Sequence, residues 1–223
     1  MKIDGNTRAL VIGASGGVGS ALADALADTQ LSTLSRSEDG FDLTNEARVA
    51  AAAADIGTLD LIFDATGGLR IGEHGPEKTI GAIEPAAMAA QFALNAIGPA
   101  LLIKHFGPRL RRTGPAVFAT LSARVGSIGD NRMGGWISYR AAKAALNQIV
   151  RTAAIELHRW NRESVVVALH PGTVATPMTE TYLARHPSVP PAEAAANLRA
   201  VLEQLASEHT GGFFDYAMEP VPW

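Results

Sequence analysis

Along the chain, short apolar runs alternate with longer segments in which apolar positions recur every three or four residues. The short runs read as buried strands and the longer ones as helices. Arg8–Ile12 (RALVI) predicts a strand and Gly17–Asp28 a helix. Leu31–Leu34 predicts a second, weaker strand. Thr44–Ala54 predicts a helix with Thr44 as its N-cap, followed by the strand Leu59–Ala65 (LDLIFDA). Glu84–Leu110 predicts one long helical segment, interrupted or bent near Gly98–Pro99. Ala116–Leu121 and Ser164–Leu169 predict strands, with a helix at Tyr139–Trp160 between them. Pro191–Ala206 predicts a helix and Gly212–Tyr216 a last strand. Alternation without a repeat or linker predicts an α/β fold: one doubly wound parallel sheet in a single domain over residues 1–223.

Composition narrows the picture. With 223 residues, 47% of them hydrophobic, the chain can bury a core without staples. The absence of cysteine excludes disulfides, thiolate metal sites and a cysteine nucleophile, and fits a reducing compartment. A formal net charge of −3 offers no electrostatic footprint for nucleic acid or an anionic membrane. Pro85 to Ile103 carries no charge over 19 residues, near the length of a membrane span. Gln91, Asn95 and the Gly98–Pro99 break favour a buried helix instead, and the expected location is cytoplasmic. The six histidines show no metal spacing, so no metal site is expected.

In a doubly wound sheet, ligands bind beyond the carboxyl ends of the strands. Gly13-Ala-Ser-Gly-Gly17-Val-Gly19 follows the first strand and opens a helix. Its glycines let the backbone approach a pyrophosphate, and the helix start supplies amide donors. Gly13, Ser15, Gly17, Val18 and Gly19 are therefore cofactor-binding candidates. The same residues match G-x-S-x-G, which would make Ser15 the nucleophile of a serine hydrolase, with His170 or His209 as its base. The position on the first strand favours the dinucleotide turn.

Tyr139 and Lys143 stand four residues apart on a helical segment, so phenol and ammonium share a face. An ammonium beside a phenol favours phenolate and suits the pair to exchange a proton with a carbonyl or alcohol oxygen. From about Arg8 to its end the chain resembles the short-chain dehydrogenase/reductase family. The segment LSARVGSIGDNRMGGWISYRAAKAALN (Leu121–Asn147) and the ending FFDYAMEPVPW are similar to its C-factor-like carbonyl reductase branch. The resemblance implies a Rossmann-type sheet and hydride transfer with a nicotinamide dinucleotide. It implies Tyr139 as acid/base, Lys143 as the lysine that also holds the ribose, and Asn95 as the organiser of a proton-relay water. Asp64-Ala-Thr-Gly67 occupies the place of the family's Asn-Asn-Ala-Gly turn with only Gly67 kept. Pro171, Gly172 and Thr176 match the segment that cradles the nicotinamide.

Two departures bear on chemistry. The family's catalytic serine stands three residues before a glycine, which counts back from Gly126 to Ala123; Ser122 is its neighbour. Either the strand end bends and Ser122 polarises the carbonyl, or the donor is missing. Leu34-Ser35-Arg36-Ser37 places a serine where an NAD-type domain carries an acid, and Arg36 beside it suits a 2′-phosphate. NADP is therefore expected, NAD being possible. Asp42 is either the adenine contact or a helix cap. Only Ser37 to Phe41 separates Arg36 from Asp42, where the family fits a helix and a strand, so the sheet should be shortened after the second strand. The expected substrate is a small apolar carbonyl or alcohol, with Met133, Trp136, Met178 and Tyr182 flanking the pocket. A homodimer or homotetramer follows by resemblance. A dinucleotide-binding signalling or sensor protein with little turnover is the alternative reading.

Overall fold

The computed structural model describes residues 1–181 and 187–223. In chain order the elements are β1 (Arg8–Ile12), α1 (Gly17–Ala25), β2 (Gln30–Leu34), α2 (Arg36–Asp39), α3 (Glu46–Ala54) and β3 (Leu61–Asp64). There follow α4 (Pro85–Phe92), α5 (Gly98–Phe106), β4 (Ala116–Leu121), α6 (Ile137–Trp160), β5 (Ser164–His170), α7 (Pro191–Gln204) and β6 (Phe213–Asp215). All six strands run parallel in the order β2-β1-β3-β4-β5-β6. This is the predicted doubly wound sheet. The chain reverses its direction of winding at β1, so a crevice opens between the ends of β1 and β3.

Apolar residues fill the strands continuously because both faces are covered. On one face Leu10, Ile12, Ile62, Phe118 and Val166 pack under α3, α5 and α6, against Val49, Leu102, Phe106, Leu146 and Val150. On the other, Val11, Phe63, Val117, Val167 and Leu169 pack under α1 and α7, against Leu22, Leu26, Leu198 and Leu202. Period-two alternation assigns each strand residue to its face.

One expectation needs correction and another is sharpened. The third helix is capped by Asn45, whose side chain accepts from the Arg48 amide at 3.3 Å, and not by Thr44. The interruption expected near Gly98–Pro99 takes the form of a π-helical turn at Ala93–Ile97, just before it. Pro99 has no N–H for the Asn95 carbonyl four residues back and its ring crowds it, so the helix widens there. The Pro85–Arg109 segment is long and apolar enough to cross a membrane, with mean hydropathy 1.6. Here it lines the sheet, with Leu102, Ile103 and Phe106 in the core. Between β2 and α3 the chain makes only the single turn α2, closed by Gly40 at φ +61°, which leaves β2 at the sheet edge.

Candidate functional site

The crevice is walled on one side by the glycine turn. Gly13 adopts φ +86°, and a Cβ there would lie 3.0 Å from the Ala65 carbonyl group on the neighbouring strand end. That approach brings the turns after β1 and β3 together. The N-terminus of α1 has no side-chain cap, so its first amides remain available to an anion. Across the opening, the Thr176 methyl lies 2.6 Å from where a Gly17 Cβ would be, which closes the segment after β5 over the turn. The Thr176 amide in turn donates to Thr179 Oγ1 at 3.1 Å. Pro171 and Gly172 begin the same segment, Gly172 at φ +79° with the Tyr216 ring 3.1 Å from its would-be Cβ. A glycine turn lined by uncapped helix-start amides, with the Thr176 side chain against Gly17, fits a dinucleotide pyrophosphate.

The inner end of the crevice is cross-braced by polar groups. Asn95, on the π turn, accepts from the Gly68 amide at 3.0 Å and donates to the Gly68 carbonyl at 2.9 Å. It also donates to Gln91 Oε1 at 2.7 Å, while Gln91 donates to the Leu69 carbonyl. The Asn95 side chain thus holds the β3–α4 loop in register. Gly67, at φ +128°, is where that loop meets the site: a Cβ there would stand 2.8 Å from Asn95 Oδ1 and 3.4 Å from Lys143 Nζ.

Tyr139 and Lys143 do share a face of α6, with Lys143 Nζ 5.9 Å from the phenol ring centroid. Lys143 is 3% exposed and donates to the Leu121 carbonyl at 2.8 Å. Burial lowers its ammonium to about 8, with Asp64 pulling the other way. Burial likewise pushes the Tyr139 phenol up to about 12. Proximity of the ammonium does not by itself bring the phenol toward neutral pH, because desolvation outweighs it. The helix start is set from outside. Trp136 is held in left-handed conformation at φ 54°, its amide donating to the Glu77 carbonyl at 2.5 Å, and the Ser138 amide donates to the Glu77 carboxylate at 3.3 Å. Arg140 anchors the preceding glycines by donating to the Gly134 and Gly135 carbonyls.

Comparison with known proteins matches residues 39–209 to the family described as enoyl-(acyl carrier protein) reductase. A 1-hydroxy-2-glutathionyl-2-methyl-3-butene dehydrogenase of Rhodococcus sp. (strain AD45) is 32% identical over 182 residues, 79% of this chain and 75% of that one. The C-signal protein of Myxococcus xanthus is 35% identical over 176 residues, 79% of this chain and 99% of that one. The chain belongs to the short-chain dehydrogenase/reductase family. The fold agrees: the NADPH-bound carbonyl reductase from chicken fatty liver superposes with a TM-score of 0.83 at 24% identity, over 98% of this chain and all of that one.

Within the family this member departs where its sequence does. Ser122 is buried, and its hydroxyl donates to Asn147 Oδ1 at 2.7 Å, one helical turn beyond Lys143. Ala123 continues in extended conformation at φ −145°, ψ 144°, so its side chain faces the other way, toward the glycine-turn side of the sheet. The strand end does not bend to present Ser122. At the outer end, Asp39 folds back to accept from the Ser35 amide at 2.6 Å, and Ser35 Oγ caps α2 by accepting from Glu38. Arg36 is exposed and makes no ion pair within 4.0 Å among the described residues, its electrostatic influence being on Asp42. Asp42 accepts from the Thr44 amide and hydroxyl at 2.9 and 2.7 Å, and those bonds, with the Arg36 charge, hold it low. Ser15 is exposed and bonds to no described residue, while His209 accepts from the Ala206 amide and His170 lies beside Arg124 and Asp215. Among the described residues no base reaches Ser15, as a hydrolase would need. Met133 and Met178 are 84% and 47% exposed; Tyr182 lies outside the described residues. No cluster of metal-ligating side chains occurs among the described residues.

Sequence reasoning missed Gln91, Thr120, Asn147 and Glu77, whose contacts cross 4 to 61 positions of chain. Only Gln91 and Asn147 carried a signal, standing four residues from Asn95 and Lys143 on the same helical faces.

Proposed function

We propose that the protein interconverts a carbonyl and an alcohol on a small, apolar substrate, using NADP(H). The observation that carries this reading is the meeting of Lys143 and Asn95 at the Gly67 corner, with the Tyr139 ring 5.9 Å from Lys143 Nζ and an uncapped glycine turn after β1. The dinucleotide, when bound, supplies or takes up the hydride. Gly13, Gly17, Val18 and Gly19 would hold its pyrophosphate, and Pro171, Gly172 and Thr176 its nicotinamide end. Arg36, exposed and in no close ion pair among the described residues, would take the 2′-phosphate. Tyr139 gives its proton to the carbonyl oxygen as the alcohol forms, and Lys143 favours the phenolate left behind. With Ala123 in place of a hydroxyl, Tyr139 is the principal donor to that oxygen.

A second reading, a dinucleotide-binding signalling protein with little turnover, is favoured by the similarity that spans nearly all of a relative named C-signal. NADPH fluorescence titration followed by a carbonyl panel separates the two. Binding with turnover that Tyr139→Phe abolishes supports the reductase. Binding with no turnover on any carbonyl supports the signalling protein, and turnover that survives the substitution removes the proposed mechanism. Exposed Ile97 and Ile155, on the helices that pair subunits in the family, support a homo-oligomer, which sedimentation velocity reads directly.

A further inference from the structure

We propose that Asp64 is the counter-ion of Lys143, a buried carboxylate that keeps the ammonium charged in the site. Asp64 ends β3 and is 0% exposed, in register with Thr120 on β4. Its Oδ1 accepts from the Thr66 amide at 2.9 Å and the Thr66 hydroxyl at 2.5 Å; its Oδ2 accepts from the Thr120 hydroxyl at 2.7 Å. Three donors converge on the group, an environment that favours its ionised form. All three are neutral, and a lone charge out of water is costly unless an opposite charge stands near.

Lys143 supplies that charge. Its Nζ bonds to the carbonyl of Leu121, the residue after Thr120, and lies beside Gly67, three residues after Asp64. Carboxylate and ammonium therefore flank one corner of the sheet, each tied to the same two-residue step of β4. The other groups facing the ammonium are the Tyr139 ring on its own helix, the Asn95 amide on the π turn and the Leu121 carbonyl. None of these is a formal charge, and Asp64 is the anion that opposes the effect of burial on Lys143. Burial pushes the Asp64 carboxyl upward, against the three hydrogen bonds and the Lys143 field. The two groups titrate as a pair. This acid stands where the family's turn carries asparagine, so the device is a feature of this chain. Asp64, wholly buried, acts through Lys143 as a positioning residue. Its catalytic consequence rests on the reductase reading; the charge coupling does not.

The test is an NMR titration of lysine labelled at Cε and Nζ, in the protein without cofactor. The chain has four lysines, Lys2, Lys78, Lys104 and Lys143, and the Lys143 signal is assigned by its loss in Lys143→Arg. In the wild type Lys143 should titrate near 8. In Asp64→Asn it should move down by about one pH unit or more while the other three stay fixed. Thr120→Val, which strips one donor and so makes the carboxyl easier to protonate, should move it down by less. A Lys143 titration that does not move in folded Asp64→Asn overturns the proposal. Should that variant fail to fold, the carboxyl-carbon signal of Asp64 in the wild type decides instead: an Asp64 that stays protonated throughout the range in which Lys143 titrates overturns the proposal. The pH profile of kcat/KM for carbonyl reduction separates the two readings. If Lys143 shifts without any turnover, the pair stands and the reductase reading falls. If turnover occurs and Lys143 stays put, the reductase stands and the pair falls.

Discussion

The two ends of the crevice are built on different physics. At the inner end Asp64, Asn95, Ser122, Lys143 and Asn147 are all buried, and every one is tied to a neighbouring element by a hydrogen bond. At the outer end α2 has no buried residue, and its hydrogen bonds stay within one turn of chain. The difference follows from the sheet. The inner end sits over central strands with helices on both faces, so side chains there lose water and must pair. The outer end sits beyond edge strand β2, where a solvated arginine needs no bracing. Chemistry that depends on altered proton affinity is confined to the first region, and recognition by charge is left to the second.

Substitutions can break or sharpen that contrast. The largest effect is expected from Tyr139→Phe, which removes the proton donor: kcat for carbonyl reduction should fall by roughly 10²–10⁴-fold with NADPH affinity kept. Next comes a pH effect at the end of β5. Burial and then the Arg124 charge lower His170 to about 4 from 6.5, with Asp215 opposing. Between those values the unfolded chain binds the proton more readily, so stability should fall as pH drops from 6.5 through 4, by about 2–3 kcal/mol. Urea midpoints across this window should show the loss, and His170→Gln should flatten it.

Arg36→Ala at the outer end should weaken NADPH about 10–100-fold and leave NADH unchanged, read by fluorescence titration. Equal losses for both cofactors would break the assignment of that end to charge recognition. A smaller effect is a gain. Ala123→Ser places a hydroxyl on the side of the strand end that faces the crevice, and should raise kcat about tenfold. Ser122→Ala should leave kcat nearly unchanged, because that hydroxyl serves Asn147. A rate loss in Ser122→Ala matching that of Tyr139→Phe would reverse the assignment of the two faces.

Much of this was legible from local pattern. The strand Ala116–Leu121 ends where its apolar run ends, because a doubly covered strand must be apolar throughout. The glycine turn and the four-residue spacing of Tyr139 and Lys143 were readable for the same reason: each is a rule about neighbours in sequence. The helix irregularity was readable as an event near Pro99 but not in its form, since whether a crowded turn breaks or widens depends on what packs around it. The direction of Ser122 was not readable at all. An extended strand end shows which residues oppose one another, and only packing against α6 shows which of the two is inside.

By itself, then, the sequence determined the order of elements, the parallel sheet, the family and the residues able to do proton and phosphate chemistry. All of these depend on spacing along one strand or helix. Tertiary structure decided which of those residues meet, and in what charge state. Lys143 lies at 3% exposure because α6 lies across the end of β4, and the carboxylate that offsets its burial arrives from β3, 79 positions earlier. Desolvation and long-range pairing have no period in sequence, and they set the proton affinities on which the site depends.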